Sequence, residues 1–146
     1  MPDLASMIEA ELDAAKSFLS LLKEESVALV AGDTEHLSLI VQKKSELLQK
    51  IGRLAQEREQ LLPLAKMSDW LKDHPEASKT RQELTALALE IKQTNEMNGK
   101  MIDIRLRSTQ QALGVLQSLS RATTYLYGPD GQTSVGVSGS HSIESA

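Results

Sequence analysis

The strongest constraint on this chain is the spacing of its apolar residues within long stretches that lack proline. Proline occurs only at Pro2, Pro63, Pro75 and Pro129. Since proline removes a backbone donor and breaks a helix interior, each proline-free stretch can form one long helix. Apolar residues recur through these stretches at alternating spacings of three and four, which places them on one helix face.

The composition supports the same conclusion. The sequence holds 23 Leu against 13 Val plus Ile, and its only aromatic residues are one Phe, one Trp and two Tyr. Sheets favour β-branched and aromatic residues, whereas helices favour unbranched ones. The sequence therefore predicts an all-α protein and excludes a β-sandwich or a doubly wound α/β enzyme.

The first half of the chain predicts a helical hairpin, with helices over about 3–31 and 33–62. Gly32 can take the left-handed conformation that ends a helix, and Asp33 or Thr34 can cap the next one. The apolar face of the second helix also carries Lys44 and Arg58. We interpret both as a solvated edge, because their long stems can cover apolar surface while the charge reaches water.

The second half predicts a connector and then a long third helix. A short helical turn over about 68–73, capped by Ser68, would place Trp70 in the core. The third helix, over about 78–127, would span roughly 75 Å, against about 45 Å for each of the first two. Either this helix bends near Asn95–Gly99, or its last part extends beyond the hairpin without an intramolecular partner.

These elements predict one helical domain over residues 1–127. The architecture that they favour is an elongated antiparallel three-helix bundle or coiled coil with a long C-terminal helix. Residues 128–146 hold four of the eight glycines and much serine without periodicity. Such a composition predicts a disordered Gly/Ser-rich tail.

The residue types that carry catalysis or metal binding do not converge in this sequence. There is no cysteine, and no two of the three histidines share a helix face: His36, His74 and His141. The acidic pairs Glu24–Glu25 and Glu57–Glu59 are interpreted as solvated faces. We therefore expect no metal, no cofactor and no enzymatic activity.

The distribution of charge and hydropathy bears on location. The N-terminus carries acidic residues instead of the basic start of a signal peptide, and no apolar run reaches the roughly 18 residues of a membrane span. The net charge is -4, with both signs mixed, which disfavours a nucleic-acid partner. The expected location is the cytoplasm, without stable insertion into a membrane.

The last helix is amphipathic and locally basic. Between Asp103 and Asp130 there is no acidic residue, while Arg105, Arg107 and Arg121 lie in that interval. Its apolar face can pack within the chain, receive a partner helix in a groove, or lie on an anionic membrane. The length mismatch favours partner binding as much as core packing, because an apolar face left in water promotes aggregation.

A polar cluster interrupts the apolar face of the third helix. The three-four ladder of this helix consists of Leu84, Leu87, Ile91, Thr94, Asn98, Met101, Arg105, Ser108, Ala112, Val115, Leu119, Ala122 and Leu126. Asn95, Asn98 and Gly99 are poor interior helix residues, and Asn98 lies on this ladder. A single buried Asn often fixes the register of helical assemblies. The alternative is a hinge between a scaffold half and a binding half.

Taken together, four segments resemble the FlgN family of flagellar export chaperones. They are LLKEESVALVAGDTEHL, KKSELLQKIGRLAQEREQLL, QTNEMNGKMI and the closing TYLYGPDGQ. The resemblance implies a three-helix cytoplasmic chaperone that binds hook-associated proteins before their export through the flagellar secretion apparatus. Components of that apparatus are further expected partners.

The resemblance also implies that the C-terminal amphipathic helix binds the client. On this chain the client-binding residues would be Ala112, Leu113, Val115, Leu116, Leu119, Ala122, Tyr125 and Leu126. The three arginines, Arg105, Arg107 and Arg121, would steer acidic residues of the client. The alternative function is a structural coiled-coil subunit or adaptor that self-assembles without an export client.

Overall fold

The computed structural model of the chain describes residues 3–126, with side chains through residue 122, and within these residues it contains helices and no strand. The helices are α1 (Leu4–Ala31), α2 (Thr34–Leu61), α3 (Leu64–Lys72) and α4 (Pro75–Leu126). The predicted all-α class is thus confirmed. Tyr127 and the predicted tail, 128–146, lie outside the described residues.

The chain divides into two units, Met1–Ile102 and Asp103–Ala146. The boundary falls within α4, inside the segment 1–127 that the sequence treats as one domain. Helices α1, α2 and α3 belong to the first unit together with the first part of α4.

The turn between α1 and α2 has the predicted chemistry. Gly32 adopts the left-handed conformation (φ 69°, ψ 28°), and the backbone N–H of Asp33 donates to the carbonyl of Ala28 over 3.0 Å. The Asp33 carboxylate then accepts from the backbone N–H of His36 over 3.1 Å. Since the connection is so short, α2 returns antiparallel along α1.

Helix α1 lies at the centre of the first unit, because its side chains are buried along two flanks. One cluster joins α1 to α2 through Leu21, Ala28 and Ile40. A second cluster joins α1, α3 and α4 through Ile8, Met67 and Ala77. Trp70 is half-buried against the second cluster, as predicted, and its ring stacks on His74 with centroids 3.9 Å apart.

The structure corrects the predicted starts of the last two helices. Helix α3 begins at Leu64, so Ser68 lies inside the helix and does not cap it. Pro63 fixes the backbone before the first turn, and the Glu59 carboxylate accepts from the backbone N–H of Leu64 over 3.2 Å. Helix α4 begins at Pro75, earlier than the predicted start near 78, because proline suits a first helical position, where its missing N–H has no intrahelical partner.

Helix α4 continues without interruption through residues 95–99. Within the first unit its predicted ladder is buried or half-buried at every position, namely Leu84, Leu87, Ile91, Thr94, Asn98 and Met101. The remaining ladder positions lie in the second unit.

Candidate functional site

The first candidate site is the helical segment of residues 103–122, called here the exposed segment. All of its side chains are exposed except that of Arg121, which is half-buried. Four of the predicted client-binding residues expose between 51% and 61% of their surface: Leu113, Val115, Leu116 and Leu119. Ala112 and Ala122 are exposed as well, whereas the side chains of Tyr125 and Leu126 lie outside the described residues.

Helical periodicity gives the exposed segment a broad apolar surface. Leu106, Leu113 and Leu116 recur at spacings of seven and three, so they share one side of the helix. The neighbouring side carries Ile104, Val115 and Leu119. Gln110, Gly114 and Gln117 lie on the opposite, polar side.

Two exposed residues were missed by sequence reasoning. Ile104 exposes 65% of its surface and Leu106 54%. Both lie off the ladder that continues from the bundle, which passes through Arg105 and Ser108. Helical periodicity could have revealed them, because they extend the same two apolar sides toward the N-terminal end of the exposed segment.

The three predicted steering arginines differ in position. Arg107 and Arg121 lie on the polar side of the exposed segment, whereas helical periodicity places Arg105 within the apolar surface. Arg121 also donates from Nε to the carbonyl of Gln117 over 3.3 Å. Exposed cations within or beside an apolar surface are suited to orient an approaching partner.

The second candidate site is a buried polar cluster around Asn98, called here the Asn98 layer. Asn98 exposes 1% of its surface. Its Nδ2 donates to the carbonyl of Leu22 over 2.9 Å and to the Glu25 carboxylate over 2.8 Å. Its Oδ1 accepts from the hydroxyl of Ser26. The Asn98 side chain is thus bonded to α1 through both of its polar atoms.

Lys44 brings α2 into the Asn98 layer. Its Nζ donates to the Glu25 carboxylate over 3.1 Å and to Oδ1 of Asn95 over 3.3 Å. Gly99 has no side chain to bond, and a Cβ built on it would meet nothing within 4 Å. The layer thus brings together two of the three predicted hinge or register residues, Asn95 and Asn98, and Gly99 is not required there by packing.

A second buried cluster, called here the Arg58 layer, lies further along the same hairpin. Arg58 donates from Nε to the Glu11 carboxylate over 2.8 Å, and Arg81 of α4 donates to the same carboxylate over 3.4 Å. Glu11 and Arg58 expose 9% and 7% of their surfaces. Both layers therefore connect α1, α2 and α4 through a shared carboxylate on α1.

These layers show that three sequence interpretations were wrong. Arg58 is buried instead of reaching water, Lys44 is half-buried in an ion pair, and Glu25 is not part of a solvated face. A lone buried charge would be strongly unfavourable, so each is compensated by a partner on another helix. Among the described residues, no buried side-chain nitrogen or oxygen is without a hydrogen-bond partner.

Metal binding and membrane insertion each require a recognisable arrangement of residues. In the described part of the chain, no three His, Cys, Asp or Glu side chains are grouped to hold a metal ion. No helix among those residues combines the length and the hydropathy that crossing a bilayer requires.

The fold defines a helical bundle protein whose last helix carries an exposed apolar surface. Comparison with known proteins assigns its family: the model of the family described as FlgN protein matches residues 1–134. The chain belongs to this family, which the resemblance had indicated, and is thereby a flagellar synthesis protein. The chain is 26% identical over 134 residues to the flagella synthesis protein FlgN of Proteus mirabilis, covering 90% of each chain. No solved structure matches it.

Proposed function

We propose that the protein is a cytoplasmic export chaperone for hook-associated flagellar proteins. It binds them through the C-terminal part of α4, prevents their premature assembly and assists their delivery to the flagellar type III secretion apparatus. One observation carries this proposal: the exposed segment presents its large apolar residues to water in a chain of the FlgN family.

The proposed mechanism is the packing of an amphipathic client helix on the exposed segment. Contiguous exposed leucines and valines mark sites where another protein binds, since such a surface is otherwise prone to aggregation. The apolar face of a client helix that is destined for assembly is also prone to aggregation, so packing the two helices together covers both apolar surfaces. The predicted contacts are Ala112, Leu113, Val115, Leu116, Leu119, Ala122, Tyr125 and Leu126.

The arginines set the orientation of the client in this proposal. Arg105, Arg107 and Arg121 attract acidic residues at the rim of the client helix. Exposed charges of this kind change the rate of association and its salt dependence more than they change affinity. The proposal therefore assigns the affinity to the apolar residues.

The test replaces Leu116 and Leu119 together with Asp in the full chain. Isothermal titration against the C-terminal segment of a hook-associated protein should show affinity reduced by about 100-fold or more, because two carboxylates would be buried against the client. Circular dichroism should show an unchanged thermal transition, since both side chains are exposed in the free protein.

The matched control is Val41→Asp with Leu48→Asp, two substitutions at exposed apolar positions of α2. This variant should keep the client affinity of the unaltered chain. Equal affinity of all three proteins would refute the assignment of the client site to the exposed segment.

The alternative function, a self-assembling coiled-coil subunit, would use the same exposed apolar surface. In that case a second copy of the chain covers the apolar surface. Analytical ultracentrifugation without client distinguishes the two. The chaperone requires the exposed segment to be available in the free protein, whereas a structural subunit would sediment as an oligomer at every concentration tested.

A further inference from the structure

A groove between α1 and α2 has features that the proposed chaperone activity does not use. Its volume is about 760 Å³, and its lining includes the cations Lys16, Lys43, Lys50 and Arg53. This basic lining contrasts with the net charge of -4 on the chain. All of its lining residues belong to the first unit, and none of them belongs to the exposed segment.

The pairing of the two helices determines how these charges are arranged along the groove. The Glu25–Lys44 and Glu11–Arg58 ion pairs fix the antiparallel register of α1 against α2. In this register Lys16 comes opposite Arg53, close to Lys50. One end of the groove is therefore basic.

The other end of the groove has mixed charge. The same register brings Glu24 near Glu46, with Lys43 on the same flank of α2 one turn away. An anionic ligand would meet two carboxylates here, so it would be held mainly at the basic end.

Three of the cations have no competing partner within the described residues. No carboxylate there lies within 4.0 Å of the charged groups of Lys43, Lys50 or Arg53. Lys16 reaches Glu83 at 4.0 Å, but both side chains are more than half exposed. Such a surface ion pair is weak and can be exchanged for another carboxylate.

The bottom of the groove is apolar, and two of the α1 side chains that border it are short. Leu21 exposes 5% of its surface, and Leu47 is half-buried beside it. Ser17 and Ser20 line the α1 side with short side chains, next to the long lysines of α2. Apolar side chains from a helix laid along the groove can thus reach Leu47 and the small part of Leu21 that stays exposed.

We propose that this groove binds an amphipathic helix of another protein, one whose carboxylates are grouped on a single turn. The carboxylates would lie over Lys16, Lys50 and Arg53, and the apolar face of the partner helix would pack over Leu21 and Leu47. Nucleic acid fits less well, because the groove contains two carboxylates and no aromatic ring on which a base could stack.

The test uses the full chain and a defined probe. The probe is a fluorescein-labelled helical peptide with leucines at three-four spacing and glutamates grouped on its central turn, and its twin has lysines in place of the glutamates. Fluorescence anisotropy should show binding of the glutamate peptide, which weakens as salt is raised. The lysine twin should bind about tenfold more weakly or not at all.

Charge reversal then locates the binding site. The variant Lys50→Glu with Arg53→Glu should bind the glutamate peptide about tenfold or more weakly than the unaltered chain does, and it should bind the lysine twin more tightly than the glutamate peptide. The matched control, Lys92→Glu with Lys100→Glu, makes the same change in net charge at exposed positions of α4 and should bind as the unaltered chain does. If the reversed variant does not fold, Lys50→Gln with Arg53→Gln replaces it and should lose affinity in the same direction.

Two comparisons separate this proposal from its rivals. Because the exposed segment is itself proposed to receive an amphipathic helix, the peptide is also measured in the Leu116→Asp with Leu119→Asp background. The groove predicts that binding, and its loss on adding Lys50→Glu with Arg53→Glu, persist in that background, whereas absence of binding there would move the peptide to the exposed segment and overturn the groove. Equal loss in the groove and control variants would overturn it as well, because net charge alone would then explain the attraction. Displacement of the peptide by a single-stranded RNA oligonucleotide that binds more tightly would also overturn the proposal.

Discussion

The two parts of helix α4 differ in the exposure of their side chains. From Leu84 to Met101 each position of the apolar ladder is buried or half-buried, and Asn98 is bonded to α1. From residue 103 to residue 122 the ladder continues through Val115 and Leu119, and both are exposed, as are Leu106, Leu113 and Leu116. Apolar periodicity therefore predicts a helix in both parts, but it does not reveal which apolar surface is buried and which is exposed.

The largest expected difference concerns leucine truncation in the two regions. Leu22→Ala removes a fully buried side chain from the bundle and should lower the free energy of unfolding by about 2–5 kcal/mol. Leu116→Ala should change it by less than about 0.5 kcal/mol. Urea unfolding followed by circular dichroism measures both. Equal losses would show that the exposed segment is part of the folded core.

The next largest difference concerns arginine. Among the described residues, Arg58→Met leaves the buried Glu11 with Arg81 as its remaining ion-pair partner, so we expect a loss of about 3 kcal/mol in the free energy of unfolding. Arg107→Met, the same substitution at an exposed position, should stay within about 0.5 kcal/mol of the unaltered chain. The same urea titration measures both, and an Arg58→Met variant as stable as the unaltered chain would mean that the Arg58 layer does not hold the bundle.

The smallest of these differences lies within the Asn98 layer. Asn98→Ala removes one donor from the buried Glu25 carboxylate and one from the Leu22 carbonyl, and it should lower the free energy of unfolding by about 1–3 kcal/mol. Asn95→Ala removes one exposed bond to Lys44 and should cost less than about 1 kcal/mol. Thermal unfolding of both variants gives the ranking. The reverse order would contradict the assignment of the register contact to Asn98.

Local chemistry explains why much of the fold could be predicted from the sequence. The hairpin turn depends on Gly32 and Asp33, which act within a few residues of themselves, and both behave as expected. Trp70 is drawn to the core by its large apolar surface. The predicted start of α3 was wrong because the Glu59 side chain, which lies on the preceding helix, accepts a hydrogen bond from the backbone N–H of Leu64. No local capping signal marks that position.

The buried charges could not be predicted from periodicity alone. Arg58 and Lys44 lie on an apolar face, and a position on that face is compatible with a solvated edge or with a buried pair. Which of the two occurs depends on carboxylates far away in the sequence, Glu11 and Glu25. In the same way, the apolar residues of the exposed segment were identifiable as a helix face, but periodicity alone does not tell whether such a face is buried or exposed.

The central claim is that α4 is divided between folding and client binding, and hydrogen exchange measured by mass spectrometry tests it most directly. Without client, backbone amides of residues 103–122 should exchange faster than those of residues 84–101, because exposed helix opens at a lower free energy than packed helix. Adding the C-terminal segment of a hook-associated protein should protect residues 103–122 and leave residues 84–101 unchanged. Equal protection of both parts before the client is added, or client protection confined to α1 and α2, would contradict the account.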